Sequence, residues 1–253
     1  MDEADLATKK AYDNRSPESV QAMFGAIATR YDRANALLSL SLHRYWNKKL
    51  VCALAAMPTQ APLLDLCCGT GEIGFAFMRR RRDRGVYMLD FCPEMLKHAQ
   101  LKATKLSLPV SAIHYLHADA ERVPLADSSV GSVSIAYGVR NLCDPSRCFR
   151  EVWRLLEDGG SIAILELTRP KGALLRLFHS LYLRSVVPLM GHWLTKERAA
   201  YEYLCRSIES FIEPETMANL LRAAGFVDIA TYPLSGGIAT LLTAKKDRSC
   251  SGL

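Results

Sequence analysis

The feature that most constrains this chain is the stretch of residues 63–71, which reads Leu-Leu-Asp-Leu-Cys-Cys-Gly-Thr-Gly. A short apolar run that leads into a glycine turn and then a helix is typical of the first βα unit of a parallel sheet. Gly69 and Gly71 carry no Cβ, so the backbone can turn sharply and come close to a bound group. The stretch therefore predicts a ligand site at the carboxyl end of the first strand.

The acid ahead of the turn indicates the ligand. Amides at a helix start normally attract phosphate, but the charge of Asp65 would repel a pyrophosphate. It would attract a cation such as the amino group of S-adenosylmethionine (SAM), and we predict a SAM site. A dinucleotide site is the alternative, because Gly69, Gly71 and Gly74 fit the pattern G-x-G-x-x-G. Asp90 could bind the ribose of either cofactor, but the later chain lacks the second βαβ half of a dinucleotide fold.

Strand-like and helical patterns alternate along the chain. The strand-like runs are 63–66, 86–90, 112–117, 130–137 and 161–167, with helical patterns at 93–103 and 146–156. Alternation of this kind predicts an α/β fold, a parallel sheet with helices on both faces. The chain ends with a helical pattern over 215–224 and strands over 226–232 and 237–244, which we expect to form an antiparallel hairpin at the sheet edge.

We expect a single domain over residues 18–248, a disordered polar N-terminus over 1–17 and a tail over 249–253. Helical spacing from residue 20 to about 56 predicts a helical N-terminal extension. Residues 168–214 form an insertion whose apolar residues include Leu174, Leu175, Phe178, Leu181, Tyr182 and Met190. The insertion follows the fifth strand on the side of the sheet where ligands bind, which favours a helical lid. A helical pair that only packs on the sheet is the alternative.

Composition excludes several classes of protein. The 8 cysteines show no C-x-x-C spacing, which favours free thiols in a reducing cytoplasm over disulfides, and we expect no metal site. We find neither a secretory signal in the first thirty residues nor an apolar run of about 18 residues that could span a bilayer. Much of the net charge of +6 comes from five arginines at 79–82 and 84. A solvated helix end is expected there, and contact with anionic lipid or nucleic acid is the alternative.

Polar residues follow three more strands. Asp90 can accept hydrogen bonds from both ribose hydroxyls of a cofactor. Asp119 can accept one from the adenine amino group while the amide of Ala120 contacts the ring. Arg140 and Asn141 follow the fourth strand and could bind and polarise an oxygen-rich aromatic substrate, although an arginine paired with a local acid is equally compatible. The motifs typical of nucleic-acid methylation are missing, so we expect no nucleic-acid partner.

Further motifs indicate a family. They are Tyr31-Asp32-Arg33-Ala34-Asn35 followed by Ser39, His43 and Trp46, then Gly138-Val139-Arg140-Asn141, and the segments 154–160 and 165–168. With them the chain resembles the quinone-biosynthesis C-methyltransferases, which methylate demethylmenaquinol and, in ubiquinone makers, a polyprenyl-methoxy-benzoquinol. The resemblance implies a Rossmann-like class I SAM-dependent methyltransferase fold with a mostly parallel seven-stranded sheet. It also implies that Thr70, Asp90, Asp119 and Ala120 bind SAM.

The resemblance implies a substrate and a mechanism as well. The substrate would be a polyprenylated quinol, with demethylmenaquinol preferred and the benzoquinol or another small molecule left open. Arg140 would favour the quinol anion as a fixed cation, Asn141 would orient the second oxygen, and Tyr31 would line the pocket. Because the apolar prenyl tail lies in the lipid bilayer, we expect transient contact with the membrane surface through the insertion and the arginines. A peripheral position on the inner membrane and a homodimer or quinone-synthesis complex are compatible with this picture.

Overall fold

A computed structural model describes residues 17–106, 108–187 and 198–247 of the chain. The sequence predictions for residues 1–16, for Met190 and for the tail fall outside the described residues.

Seven strands form one sheet. They are β1 (Leu63–Leu66), β2 (Val86–Asp90), β3 (Ile113–His117), β4 (Val130–Ala136), β5 (Leu156–Leu167), β6 (Phe226–Leu234) and β7 (Ala239–Lys246). The strand order is β3-β2-β1-β4-β5-β7-β6. The first five strands are parallel, and β7 runs antiparallel to both β5 and β6. The expected fold class, a mostly parallel sheet closed by an antiparallel hairpin, is therefore confirmed.

Nine α-helices are described around the sheet. They are α1 (Pro17–Ile27), α2 (Tyr31–Leu38), α3 (Leu42–Ala55), α4 (Glu72–Arg80), α5 (Pro93–Lys105), α6 (Pro145–Leu155), α7 (Ala173–Leu181), α8 (Arg198–Ser210) and α9 (Pro214–Ala223). Proline occupies the first helical position of α5, α6 and α9, where its missing N–H costs no hydrogen bond. The Asp144 side chain caps α6 by accepting a hydrogen bond from the Arg147 backbone N–H at 3.1 Å.

The two faces of the sheet carry separate parts of the core. Leu64 of β1 packs with Phe149 of α6 and Leu221 of α9 on one face. Its neighbour Leu63 packs with Leu50 of α3 on the other face, together with α4 and α5. Successive side chains of a strand point to opposite faces, so the apolar run that opens the glycine motif supplies both halves of the core. The motif is thereby fixed at the centre of the sheet.

A third cluster joins the N-terminal helices to the insertion. Ile27 and Ala34 pack with Leu183, Cys205 and Ile208. A π-helix at Tyr182–Val186 follows α7, and the Tyr182 hydroxyl donates to the carbonyl of Leu38 at 2.9 Å. Segments about 150 residues apart in sequence therefore form one helical layer.

Several boundaries differ from the sequence predictions. The helical pattern over 20–56 is divided by a 3₁₀ turn at Ala28–Arg30 and by a turn in which Leu40 and Ser41 have positive φ of 48° and 63°. Strand β5 begins at Leu156 rather than at 161, because the register against β4 shifts by a bulge before Ser161. Bulges and left-handed turn residues leave little trace in hydrophobic periodicity.

The arginine cluster is not simply a solvated helix end. Arg84 is 1% exposed, donates from Nε to the carbonyl of Ala61 at 2.6 Å and from Nη2 to the Ser132 hydroxyl at 2.8 Å, and lies over the ring of Phe77. Burial lowers the pKa of Arg84 to about 10. This arginine therefore connects the end of α4 to β4 and to the segment before β1.

A second arginine of the cluster is structural too. Arg81 donates to the backbone carbonyls of Ala55, Met57 and Thr59 at 3.0–3.2 Å. Helix α4 starts at the carboxyl end of β1 and ends before the amino end of β2, so the cluster lies at the sheet edge opposite the glycine turn. The insertion follows the carboxyl end of β5, which places the two surfaces expected to meet a membrane at opposite edges.

Candidate active site

Two adjoining cavities open at the carboxyl edge of the parallel strands. The first, which we call the helix-side cavity, has a volume of about 430 Å³ and is also lined by α2, α3, α7 and the π-helix. The second, the strand-side cavity, has a volume of about 410 Å³ and is lined by the loops after β2 and β3. They share the lining residues Tyr31, Cys67, Gly69, Ala136 and Tyr137.

The glycine turn separates the two cavities. Gly71, the residue before α4, has φ +81°, and a Cβ there would lie 2.6 Å from the ring of Phe75. Gly69 has φ +54°, and its N–H donates to Oδ2 of Asp90 at 2.7 Å. Both positions thus have the left-handed backbone that glycine adopts without strain. The turn is held in place by the acid at the end of the neighbouring strand.

Asp65 is buried beneath the turn, with 1% of its surface exposed. Its Oδ1 accepts a hydrogen bond from the Ser134 hydroxyl at 2.6 Å, and its Oδ2 accepts one from the Gly74 N–H at 3.0 Å. Burial raises the pKa of Asp65 to about 7, although both hydrogen bonds act in the opposite direction. The carboxyl group therefore links β1, β4 and α4, and it lines the helix-side cavity.

Asp90, Asp119 and Ala120 line the strand-side cavity. Besides Gly69, Asp90 accepts a hydrogen bond from the Cys92 N–H at 2.9 Å, and burial raises its pKa. Oδ1 of Asp119 accepts one from the Glu121 N–H at 2.9 Å. The geometry brings Asp90, Asp119 and Ala120 to one cavity, with carboxylates that can accept hydrogen bonds from a ligand.

Thr70 lines the helix-side cavity and connects the turn to neighbouring helices. It is largely buried, and its hydroxyl donates to Oδ1 of Asp32 in α2 at 2.5 Å. Asp32 in turn pairs with the Lys102 ammonium of α5 at 2.7 Å. The predicted cofactor residue thus also ties α2 to the sheet.

Arg140 lies in the 3₁₀ turn Val139–Asn141 after β4 and lines the helix-side cavity. It is 7% exposed and forms an ion pair with the fully buried Glu166 of β5. Burial lowers the pKa of Arg140, but Glu166 and the nearby tyrosines hold it above its ordinary value, so the guanidinium stays charged. Within the described residues its Nε has no hydrogen-bond partner. Arg140 is thus both paired with a local acid and part of the cavity wall.

Asn141 and Tyr31 occupy different positions from Arg140. Asn141 lines the strand-side cavity, and its Oδ1 accepts a hydrogen bond from the Tyr203 hydroxyl of α8 at 2.6 Å. The structure therefore does not bring Asn141 into the helix-side cavity beside Arg140. Tyr31 lines both cavities, and burial raises its pKa, so its phenol stays protonated.

Comparison with known proteins identifies the family. The chain matches the ubiE/COQ5 methyltransferase family over residues 9–246. It belongs to that family. A demethylmenaquinone methyltransferase of Protochlamydia amoebophila is 41% identical over 236 residues, which cover 93% of this chain and 98% of the relative. The ubiquinone/menaquinone biosynthesis C-methyltransferase UbiE of Rickettsia felis is 32% identical over 97% of this chain and 100% of its own length.

A solved structure shows the same fold. A SAM-dependent methyltransferase from Thermotoga maritima, described as a possible histamine N-methyltransferase, has a TM-score of 0.60 and 16% identity, and covers 89% of this chain and 99% of its own. Membership of the ubiE/COQ5 methyltransferase family makes this chain a SAM-dependent methyltransferase and argues against the dinucleotide alternative. In the described parts of the chain we find no group of three or more metal-ligating side chains and no helix long and apolar enough to cross a membrane.

Sequence reasoning missed two strained residues of this family member. Cys67 and Tyr137 follow β1 and β4 directly and have positive φ of 55° and 58°. A Cβ on Gly138 would lie 2.6 Å from that of Cys67, so the two turns pack closely together. Non-glycine residues in this conformation are strained and cluster at functional sites. Neither residue type carries a sequence signal for it.

A network of polar side chains in the helix-side cavity was missed as well. The Tyr137 hydroxyl donates to Oδ1 of Asn47 at 2.9 Å, and Nδ2 of Asn47 donates to Glu72 at 3.1 Å. Nδ1 of His43 lies 2.7 Å from the Ser39 hydroxyl. All five of these residues, Tyr137, Asn47, Glu72, His43 and Ser39, line the cavity. The N-terminal motif that contains Ser39 and His43 was the available signal for this part of the network.

Proposed function

We propose that this chain transfers a methyl group from SAM to a ring carbon of a polyprenylated quinol and converts demethylmenaquinol to menaquinol. The observation that carries the proposal is the contact of two cavities of different character at one glycine turn. One has acids at the ends of β2 and β3, and the other has mostly apolar walls. The name of the Protochlamydia relative, a demethylmenaquinone methyltransferase, supports the naphthoquinol substrate. The benzoquinol step of ubiquinone synthesis is the second candidate, favoured by the name of the Rickettsia relative.

The residues of the strand-side cavity suit the adenosine part of SAM. Asp90 would accept hydrogen bonds from the ribose hydroxyls, and Asp119 one from the adenine amino group, with the Ala120 amide against the ring. Asp65, Thr70 and the turn of Gly69 and Gly71 would hold the amino-acid tail. When bound, SAM supplies a methyl group already activated on a sulfonium.

The helix-side cavity suits the quinol ring. A ring carbon becomes nucleophilic when a neighbouring hydroxyl, with an ordinary pKa of about 10, loses its proton. The charged Arg140 would stabilise the resulting oxyanion, and Tyr31 and Tyr137 would enclose the ring where the two cavities meet. Asn141 lines the strand-side cavity. It would bind the second hydroxyl oxygen of the quinol only if that oxygen reached the strand-side cavity. The chain thus contributes positioning, charge and the exclusion of water.

We also propose that the insertion is a lid that contacts the membrane surface. Leu40, Leu175 and Phe178 line the helix-side cavity and are themselves exposed. Their surface continues into exposed apolar side chains on α7, and together these residues form what we call the apolar rim: Leu40, Leu174, Leu175, Leu177, Phe178 and Leu181. Helix α7 is short and exposes every one of these side chains except Leu40, an arrangement suited to the lipid interface. The prenyl tail would leave the cavity through the rim into the bilayer.

The substrate experiment compares two quinols. Purified protein receives labelled SAM and either reduced demethylmenaquinol or the polyprenyl-methoxy-benzoquinol, and mass spectrometry follows the gain of a methyl group on the ring. We expect faster methylation of the naphthoquinol. Faster methylation of the benzoquinol would select the second candidate, and methylation of neither would contradict the proposal.

The membrane experiment separates the apolar rim from the arginine cluster. Leu174→Ser with Leu177→Ser should weaken binding to vesicles about 100-fold, because burial of each such side chain contributes about 1.5 kcal/mol. These two leucines do not line a cavity, so turnover of a detergent-dissolved quinol should stay the same. The matched control is Arg79→Gln with Arg80→Gln, two exposed positions at the opposite edge. Vesicle binding that depends on the arginines and not on the leucines would contradict the role of the rim.

A further inference from the structure

The first turn of α3 holds a buried histidine whose hydrogen bond fixes its tautomer. Nδ1 of His43 lies 2.7 Å from the hydroxyl oxygen of Ser39. That hydroxyl donates its single proton to the carbonyl of Asn35 at 2.6 Å. The proton between Ser39 and His43 must therefore belong to the imidazole, so Nδ1 carries the hydrogen and donates to Ser39.

The other ring nitrogen is left with a free lone pair. In a neutral imidazole with the proton on Nδ1, Nε2 is an acceptor. No described residue supplies a donor to Nε2 of His43, and the side chain lines the helix-side cavity although it is only 5% exposed. A buried acceptor that faces a cavity is completed by a ligand that can donate a hydrogen bond. A hydroxyl group fits this requirement.

The surroundings keep this imidazole neutral. Burial lowers the pKa of His43, the Arg44 charge on the same helix acts in the same direction, and Asp32 of α2 opposes them. Its position in the first turn of α3 disfavours a positive charge further. The other titratable groups lining the cavity are Asp65, Glu72, Arg140, His179, the thiols of Cys67 and Cys68, and the tyrosines Tyr31, Tyr137 and Tyr182.

We propose that His43 is the catalytic base, whose Nε2 accepts the proton of the quinol hydroxyl during methyl transfer. Ser39 is the positioning residue that holds the base in the competent tautomer. The inference rests on the proposed function, because it requires a hydroxylated ring in the helix-side cavity. It assigns the proton acceptor, a role that Arg140 cannot fill because its guanidinium stays protonated.

The proton and electron balance is simple. The O–H bond of the quinol breaks, its proton passes to Nε2, and the oxygen electron pair is delocalised to the neighbouring ring carbon. That carbon forms a bond to the methyl group as the bond between methyl and sulfur breaks, and S-adenosylhomocysteine leaves. The new sp³ carbon then loses its hydrogen as a proton to solvent water, the ring regains aromaticity, and the oxygen takes a proton back from His43. One proton is released overall.

The decisive variant is His43→Gln, which keeps a polar side chain but cannot take up a proton. General base catalysis contributes about 10²–10⁴-fold, so we expect kcat/KM for the quinol to fall at least 100-fold at neutral pH. The affinity for SAM should stay within about twofold, since the adenosine part of SAM would bind in the strand-side cavity, which His43 does not line. The exposed His114→Gln, which lies on β3 outside both cavities, is the matched control and should keep full turnover.

The pH profile distinguishes a base from a structural residue. At saturating SAM, turnover of the wild type should rise as His43 loses its proton, with an apparent pKa below the ordinary value of about 6.5. The pH profile of His43→Gln should lack this rise, which we call the acidic limb. Imidazole added to His43→Ala should restore part of the rate. Ser39→Ala should lower turnover less, because part of the neutral imidazole would keep the proton on Nδ1.

The alternative base is His179 of α7, which lines the same cavity. His179→Gln should retain the acidic limb. The inference is overturned if His43→Gln keeps the turnover and the limb, or if His179→Gln removes it. It is also overturned if ¹⁵N NMR of the wild type finds the proton of His43 on Nε2, a result that needs no variant. A wild type that methylates neither quinol would instead contradict the proposed function.

Discussion

The strand-side and helix-side cavities are built in different ways. In the strand-side cavity, Asp90 and Asp119 accept hydrogen bonds from backbone N–H groups of nearby turns. In the helix-side cavity several polar side chains bind other side chains from distant segments, as in the pair of Arg140 and Glu166 and the contact of Tyr137 with Asn47. The first is a product of local βα turns and the second of tertiary assembly.

This difference indicates how each cavity responds to change. Backbone donors remain when one side chain is replaced, so a substitution in the strand-side cavity should alter cofactor affinity and leave the fold intact. An interaction between two side chains is lost when either of them is replaced, so a substitution in the helix-side cavity should affect both turnover and stability. The predictions below test this contrast, beginning with the largest expected effect.

Removing the charge of Arg140 should destabilise the protein most. Arg140→Met leaves the carboxyl group of Glu166 buried without its partner. Loss of one member of a buried pair costs about 3–5 kcal/mol of the free energy of unfolding. Denaturant unfolding of the variant measures this loss.

The control for this prediction is an exposed ion pair. Arg222 and Glu215 lie 3.2 Å apart with more than half of each side chain exposed, so Arg222→Met should cost less than about 1 kcal/mol. If Arg140→Met were as mild as Arg222→Met, the helix-side cavity would not depend on its buried pair and the contrast between the cavities would fail.

Keeping the charge but changing its shape should separate stability from catalysis. Arg140→Lys retains a cation beside Glu166, but the guanidinium that would polarise the quinol oxygen is lost. We expect kcat to fall about 10²–10³-fold, equivalent to about 2.7–4 kcal/mol, with SAM affinity within about twofold. Single-turnover kinetics and calorimetric titration with SAM measure the two quantities. Full activity of the lysine variant would remove Arg140 from the site.

The sequence predicted the sheet, and the acids that follow its strands could be read from the sequence, for a physical reason. A strand, an acid and a glycine turn are neighbours along the chain, so Asp65, Gly69 and Asp90 are recognisable in a short window. The parallel direction of the first five strands follows from the alternation of strands and helices. The seven strands and the antiparallel hairpin could therefore be predicted from the sequence alone.

The helix-side cavity was harder to predict because its residues meet only in the folded chain. Nothing in the sequence around Glu166 indicates that it pairs with Arg140, 26 positions away. The burial of Arg84 against Phe77 likewise gives no periodic signal, and the run of arginines suggested a solvated surface instead. Long-range side-chain pairing and left-handed turns are the parts that hydrophobic patterns do not encode.

A change in the strand-side cavity should act on the cofactor alone. Asp90→Asn retains a carbonyl that can accept the Gly69 N–H, but it removes the charge that would bind the ribose hydroxyls. A hydrogen bond to a charged group contributes about 1.5–3 kcal/mol, so the Kd for SAM should rise about 10–100-fold. The KM for the quinol at saturating SAM should remain the same. A large change in that KM, measured in the same assay, would show that the two cavities are not separable.

The smallest expected effect concerns Asp65, which lines the helix-side cavity beneath the glycine turn and has a pKa of about 7 through burial. Without ligand, the folded protein binds a proton there that the unfolded chain, with a pKa near 3.9, has released. Stability from this group is therefore lost as pH rises from about 4 to about 7.

The ammonium group of SAM favours the charged carboxylate of Asp65, so binding of SAM should release the proton. The affinity for SAM should therefore rise by up to about tenfold from pH 6 to pH 7 and level off above pH 7. Asp65→Asn should bind SAM with little dependence on pH over this range, as measured by calorimetry in buffers of different ionisation enthalpy. Equal pH dependence in both proteins would mean that Asp65 only holds β1 to β4 and α4, and that the cationic tail of the cofactor is bound elsewhere.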